Sequence, residues 1–274
     1  MKQPTTFHDL IDLDLGAHEI SWTERDAIVY ALACGADASE LDLVYERDLR
    51  PLPGFLAALG LWAVERCGDL GVYDRKKSLH VSQKVEMHTV MPAAATLPTR
   101  ARVAGVWDKG KVTILDIEVT SDVFTATYTI FLPGIGGWGG PQLSSSDRTD
   151  QSNVLVETAN YQTTTDQAAL YRMTGDLHPV HIDPAVAASY GFERPILHGL
   201  CTLGIALRLL AKTAGFHPAE LKQASAKLSA PVLPGDLLTL RTAHLGDGLL
   251  FDVKVGERQV LKDGYARFAV WPIN

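Results

Sequence analysis

The chain repeats itself. The run T-E-R-D-A-I-V-Y-A-L that starts at Thr23 reads like T-D-Q-A-A-L-Y-R-M starting at Thr165, and each runs on to a Gly and an Asp, Gly35/Asp37 and Gly175/Asp176. Behind each comes a long, nearly all-apolar helix. One is opened by Pro53-Gly54 (F-L-A-A-L-G-L-W-A-V-E-R), the other runs from Gly199 to Ala211. A helix apolar all round has to be wrapped by other elements. Runs rich in β-formers follow in both halves: Leu79 to Val90, Thr99 to Trp107, Lys111 to Thr120 and Val123 to Leu132 in the first, then Ala224 to Val232, Leu237 to Leu245, Leu249 to Val255 and Gln259 to Val270. Turn signals at Asp108-Lys109-Gly110, Ser121-Asp122 and Gly246-Asp247-Gly248 separate them, as in antiparallel hairpins. A fixed repeat of this size points to two copies of one unit.

One apolar helix with about five antiparallel strands per copy predicts a sheet curled around its helix. This is an α+β arrangement, and two such units in one chain make a double hotdog. The Gly-, Pro- and Ser-rich stretch from Pro133 to Asn153 is the natural boundary. The expected division is residues 1–137 as a first hotdog, 138–155 as covering loop and linker, and 156–274 as a second hotdog.

Composition excludes several classes. With 46% hydrophobic and 21% charged residues the chain is an ordinary globular protein. A net charge of −7 argues against a nucleic-acid partner, whose phosphates need a basic footprint. Cys34, Cys67 and Cys201 are too few and too far apart for a disulfide framework or a zinc knuckle. No run reaches the roughly 18 apolar residues of a membrane span, the N-terminal residues lack an apolar signal core, and the chain ends W-P-I-N rather than S-K-L. The expectation is a cytoplasmic protein without a membrane partner.

The chemistry concentrates in the second copy. Asp176, His178, His181, Asp183 and His198 crowd together just before Gly199, whereas the first copy has no His between His18 and His80. A carboxylate, an imidazole and the free N–H groups of a helix start can activate water beside a carbonyl that gains negative charge. The same spacing also fits a solvated turn with helix caps. Asp183-Pro184 reads as an N-cap with Pro at the first helical position. His178, His181 and Asp183 could be taken for metal ligands, but no Cys or Glu completes a zinc-type set, and no metal is expected.

The run Y-R-M-T-G-D-L-H-P-V-H-I-D-P from Tyr171, followed by G-F-E-R-P-I-L-H-G-L-C, resembles the (R)-specific enoyl-CoA hydratases of the MaoC type. The resemblance is to the two-hotdog hydratase 2 branch, found as the middle domain of the peroxisomal multifunctional β-oxidation enzyme. It extends over nearly the whole chain, including D-Q-A-A-L-Y-R before the motif and P-V-L-P-G after it. It implies addition of water to a trans-2-enoyl-CoA from a fatty acid or sterol side chain, giving the (3R)-3-hydroxyacyl-CoA, with no cofactor beyond the coenzyme A of the substrate. By resemblance, Asp176 and His181 hold and deprotonate the water, and Gly199 N–H binds the thioester oxygen. His80, Val81, Lys109, Leu177, Pro179, Val180 and Leu228 match substrate contacts, with Lys109 a partner for a coenzyme A phosphate. Lys109 also sits in a turn where a Lys is usually just solvated. The resemblance further implies a homodimer, and a first copy that has given up its own site to make room for the acyl chain. One position departs from the pattern: His178 stands where the family carries Asn, an amide that helps arrange the water and the pair. Readings of a different class are a hotdog acyl-CoA thioesterase and an acyl-CoA binder without turnover.

Overall fold

The computed structural model describes residues 4–142 and 154–271. The first half contains β1 (Asp14–Trp22), α1 (Glu24–Ala33), α2 (Leu41–Val44), α3 (Phe55–Leu59), α4 (Trp62–Asp69), β2 (Leu79–Met87), β3 (Ala95–Asp108), β4 (Val112–Thr120) and β5 (Phe124–Pro133). The second contains β6 (Val156–Gln162), α5 (Gln167–Tyr171), α6 (Pro184–Ser189), α7 (Gly199–Thr213), β7 (Leu221–Leu228), β8 (Leu237–Leu245), β9 (Gly248–Val255) and β10 (Arg258–Phe268). The strands form one antiparallel sheet in the order β1-β3-β4-β5-β2-β7-β10-β9-β8-β6. Read from its two ends, that order is the same unit twice, joined where β2 pairs β7 from Ser82↔Lys227 to Glu86↔Gln223. The internal repeat is therefore a pseudo-two-fold about the central strand pair.

Alternation explains the strands. In β5, Phe124, Ala126, Tyr128, Ile130 and Leu132 all point inward and are buried, while the residues between them are part-exposed. The eight β-rich runs read from the sequence all become strands. The two edge strands, β1 and β6, carry no comparable alternation; no residue of β6 is fully buried.

α7 runs unbroken for 15 residues, buried on nearly every side, as its apolar sequence predicts. Its counterpart in the first half differs from the expected single helix: it breaks at Gly60-Leu61 into α3 and α4. The Tyr128 hydroxyl donates to the Ala57 carbonyl at 2.7 Å, and Leu61 N–H turns instead to the Ala58 carbonyl at 3.3 Å. A Cβ at Gly60 would collide with that same hydroxyl.

The halves are stitched through the end of α1. The Ala33 carbonyl, left without an intrahelical partner, accepts from Gln167 Nε2 at 2.5 Å and from Cys201 Sγ at 3.4 Å. Buried Arg208 of α7 donates to the Cys34 carbonyl at 3.0 Å and to Glu40 at 2.7 Å. The residues at the start of the expected linker, with Gly137 just before it, pack back on the first half: Gly137 and Gly139 N–H both donate to Asp108 at 2.8 Å, and Trp138 donates to Thr113 at 2.9 Å. Residues 143–153 of that linker lie outside the described residues. Among the described residues no helix is long and apolar enough to cross a membrane.

Candidate active site

After α5 the chain takes a tight turn over Arg172–Thr174 and leaves it through Gly175, whose φ of 125° is closed to most side chains. That turn delivers Asp176, whose Oδ1 accepts from His178 N–H at 3.2 Å. Pro179 opens a second short turn, Pro179–His181, which ends on His181. His178 caps this turn: its Nδ1 accepts from Val180 N–H at 3.3 Å.

The orientation of His181 is set by one hydrogen bond. Its Nδ1 lies 2.8 Å from the Ile196 carbonyl. A carbonyl only accepts, so Nδ1 carries the proton and Nε2 presents a lone pair. His198, nearly fully buried, has Nε2 at 3.1 Å from the Asp176 carbonyl and is likewise protonated there. The two imidazoles stack with centroids 3.6 Å apart and planes 24° off parallel. One polar atom each from Asp176, His181 and His198 falls within 4.8 Å of the others. Burial lowers the ionisation of His181, partly offset by the Asp176 carboxylate, and pushes His198 down to about 3. His181 is therefore a neutral imidazole at neutral pH, with its base nitrogen free.

Those donor atoms could also be taken for a metal set. In each ring one nitrogen is already engaged by a carbonyl, which leaves the other as the available donor. Asp183, weighed from sequence with His178 and His181, caps α6, its Oδ1 accepting from Ala185 and Val186 N–H at 2.8 and 3.3 Å.

Gly199 opens α7, and its N-cap, His198, makes no side-chain cap bond, so the first-turn N–H groups are not consumed from that side. A Cβ at Gly199 would lie 2.8 Å from Leu228 Cδ1, which brings Leu228 to the helix mouth. His80 enters from β2 of the other half. Burial depresses its imidazole to about 4 while the charge of Asp176 pulls the opposite way, so it faces the same corner. Val81 follows at the β2–β7 seam, half-buried. Around the pair, Leu177 and Pro179 are exposed and Val180 is buried. Lys109 is not in this cluster. It is exposed on the β3–β4 hairpin, at the same end of the sheet as His80 but two to three strand spacings of about 4.8 Å away. His198 stood in the sequence as one of the crowded polar groups, with no task assigned to it; its ring stacking and its bond to the Asp176 backbone carry no local sequence signal.

The matching corner of the first half is closed. Its helix mouth, at Gly54, is packed by the Tyr30 hydroxyl, 2.7 Å from where a Cβ would stand. The void there, about 10 Å³ among Tyr30, Gly54, Gly204 and Leu221, is at the lower bound for a single water.

Comparison with known proteins divides the chain as the sheet does. Residues 20–134 match the family model described as MFE-2 hydratase 2 N-terminal domain, and residues 150–266 the one described as MaoC like domain. The chain is 34% identical over 268 residues to the peroxisomal enoyl-CoA hydratase 2 of Arabidopsis thaliana, covering 87% of each protein. The chain belongs to the MaoC-like hydratase 2 family. Within that family it is also similar to the peroxisomal multifunctional enzyme type 2 of Mus musculus, 32% identical over 260 residues that span 86% of this chain and 35% of that protein. Among solved structures, a MaoC-like dehydratase from Phytophthora capsici superposes with a TM-score of 0.84 at 26% identity, over 96% of this chain and 98% of that one. The double hotdog read from the sequence is the fold of this hydratase 2 chain.

Proposed function

We propose that the protein is an (R)-specific enoyl-CoA hydratase that adds water to a trans-2-enoyl-CoA and yields the (3R)-3-hydroxyacyl-CoA. The observation that carries the reading is that His181 and the Asp176 carboxylate bring polar atoms within 4.8 Å of each other beside the mouth of α7, with the His181 lone pair on Nε2. Asp176 and His181 hold the water between them and take one of its protons. The remaining hydroxide oxygen bonds to the β-carbon. The double-bond electrons shift toward the thioester, and its oxygen gathers negative charge against Gly199 N–H at the positive end of the helix. A proton returned to the α-carbon completes the addition, so the net change is one water added and nothing oxidised. No metal is needed in this sequence, and the coenzyme A is part of the substrate.

Leu228, His80 and Val81 line the thioester end, with Leu177, Pro179 and Val180 around the pair. Lys109 meets a coenzyme A phosphate farther out, a point charge on a flexible stem. His178 takes the place of the family Asn by capping the turn that carries His181. We read the protein as a homodimer without nucleic-acid or membrane partners. We place it in the cytoplasm; the relatives it is similar to include proteins named as peroxisomal.

The test is a trans-2-enoyl-CoA assay followed by two signals. Loss of the ultraviolet absorbance of the conjugated thioester without free thiol supports hydration. Thiol release at constant conjugation would make the protein a thioesterase, and saturable binding with neither signal would make it a binder.

A further inference from the structure

We infer that His198 is the positioning residue of the site, a permanently neutral platform that sets Asp176, His181 and the mouth of α7 relative to one another. The inference rests on Asp176 and His181 being the hydrating pair.

One residue touches each part. His198 Nε2–H holds the Asp176 backbone carbonyl at 3.1 Å, and the ring lies flat against His181 at 3.6 Å. Its own carbonyl accepts from Thr202 N–H at 3.1 Å, starting the first turn of the helix that Gly199 opens. Behind it, the Tyr171 ring sits 4.8 Å away and closes the pocket. The Asp176–His181 stretch and the start of α7 are thereby referred to one residue.

The neutrality follows from the remaining nitrogen. His198 Nδ1 is buried and has no hydrogen-bond partner among the described residues. A proton added there would be a buried cationic N–H with nothing to accept it, which costs far more than the orphaned lone pair. Facing the two rings are Asp176, Arg172, Tyr171 and His178, and His80 reaches Asp176 from β2. Arg172 opposes a charge on His198, and two imidazoles in stacking contact do not both take one. The proton that arrives in this pair therefore belongs to His181. The His198 ring also covers one face of His181, and so contributes to the burial that keeps the base neutral.

The test uses the full chain labelled with ¹⁵N, with histidine protonation and tautomer read from ring ¹H–¹⁵N correlations across pH 4.5–8. In the wild type His198 is expected to stay neutral with the proton on Nε2 throughout, and His181 to titrate below the ordinary value of about 6.5. His198→Ala uncovers His181, and its midpoint should rise toward that value. His198→Phe keeps the ring face and should hold the midpoint near the wild-type position. His198→Gln restores a donor to the Asp176 carbonyl but not the ring. It should recover turnover relative to Ala while leaving the midpoint raised. For Ala, kcat should fall about tenfold to hundredfold with KM little changed, the signature of a misplaced pair. Melting by circular dichroism sets the folded fraction for each variant. A His198 that protonates above pH 5, a His181 midpoint unmoved in the Ala variant, or identical midpoints for Phe and Ala would overturn the inference. If the titrations behave as expected but the wild type hydrates no enoyl-CoA, the functional reading fails and the positioning role stands.

Discussion

Single residues set the acid response of this protein. Burial holds His80 at about 4 and His198 at about 3, and lowers His181 and His217 as well. Each binds a proton in the unfolded chain below about pH 6.5 that it refuses in the folded one. Unfolding therefore takes up protons between those limits, and stability falls as pH falls. The contribution is whole above about pH 7 and is lost progressively down to the folded values. The urea midpoint should drop between pH 7 and pH 5, above the ordinary carboxylate range, and His80→Gln or His198→Gln should flatten the drop. A midpoint that is level over that window would mean these imidazoles are not buried neutral. At this scale the gathering of Asp176 and His181 beside the helix that Gly199 opens was legible, because these residues lie close together in the sequence. The work of His198 was not, since it consists of a stack on His181 and a bond to Asp176 across 22 positions. His178 shows the reverse: the sequence marked it as a departure, and its place is that of a cap on Val180 N–H.

At the scale of elements, strands were legible wherever one face is buried and the other is not, as in β4 and β5. The edge strands β1 and β6 were not named, because an edge with little buried surface writes no period-two pattern. The break between α3 and α4 was also invisible: its cause is Tyr128, 71 residues from the carbonyl it captures. That cause is open to test. Gly60→Ala should destabilise the protein by about 1–3 kcal/mol, as expected of overpacking. Tyr128→Phe should cost about 1–2 kcal/mol for the lost buried bond. In the Phe background the nearest atoms to the new methyl would be 3.3 Å away, so the cost of Gly60→Ala should shrink. Additive costs in chemical denaturation would show that the hydroxyl does not hold the break open.

For the whole molecule, the duplication was legible but the seam was not. β2 and β7 look like any other strand, yet their pairing fuses two units into one sheet. The candidate site straddles that seam. His80 of the first half faces Asp176 of the second, and the Ala33 and Cys34 carbonyls need Gln167, Cys201 and Arg208. Residues 156–274 expressed alone would expose the β7 edge and lack His80. Such a fragment should be aggregation-prone and inactive, and a soluble, active monomer would refute the joint site. Asymmetry matters as much as repetition: Tyr30 closes the first helix mouth, and only the second keeps the carboxylate and imidazoles. The most direct measurement is a cycle of turnover numbers on trans-2-enoyl-CoA for the wild type, Asp176→Asn, His181→Ala and the double variant. Each single change should lower kcat by about a thousandfold or more, and the double no further than the worse single, because the pair acts as one unit. Near wild-type turnover in either single variant, or losses that multiply in the double, would contradict a shared water held between Asp176 and His181.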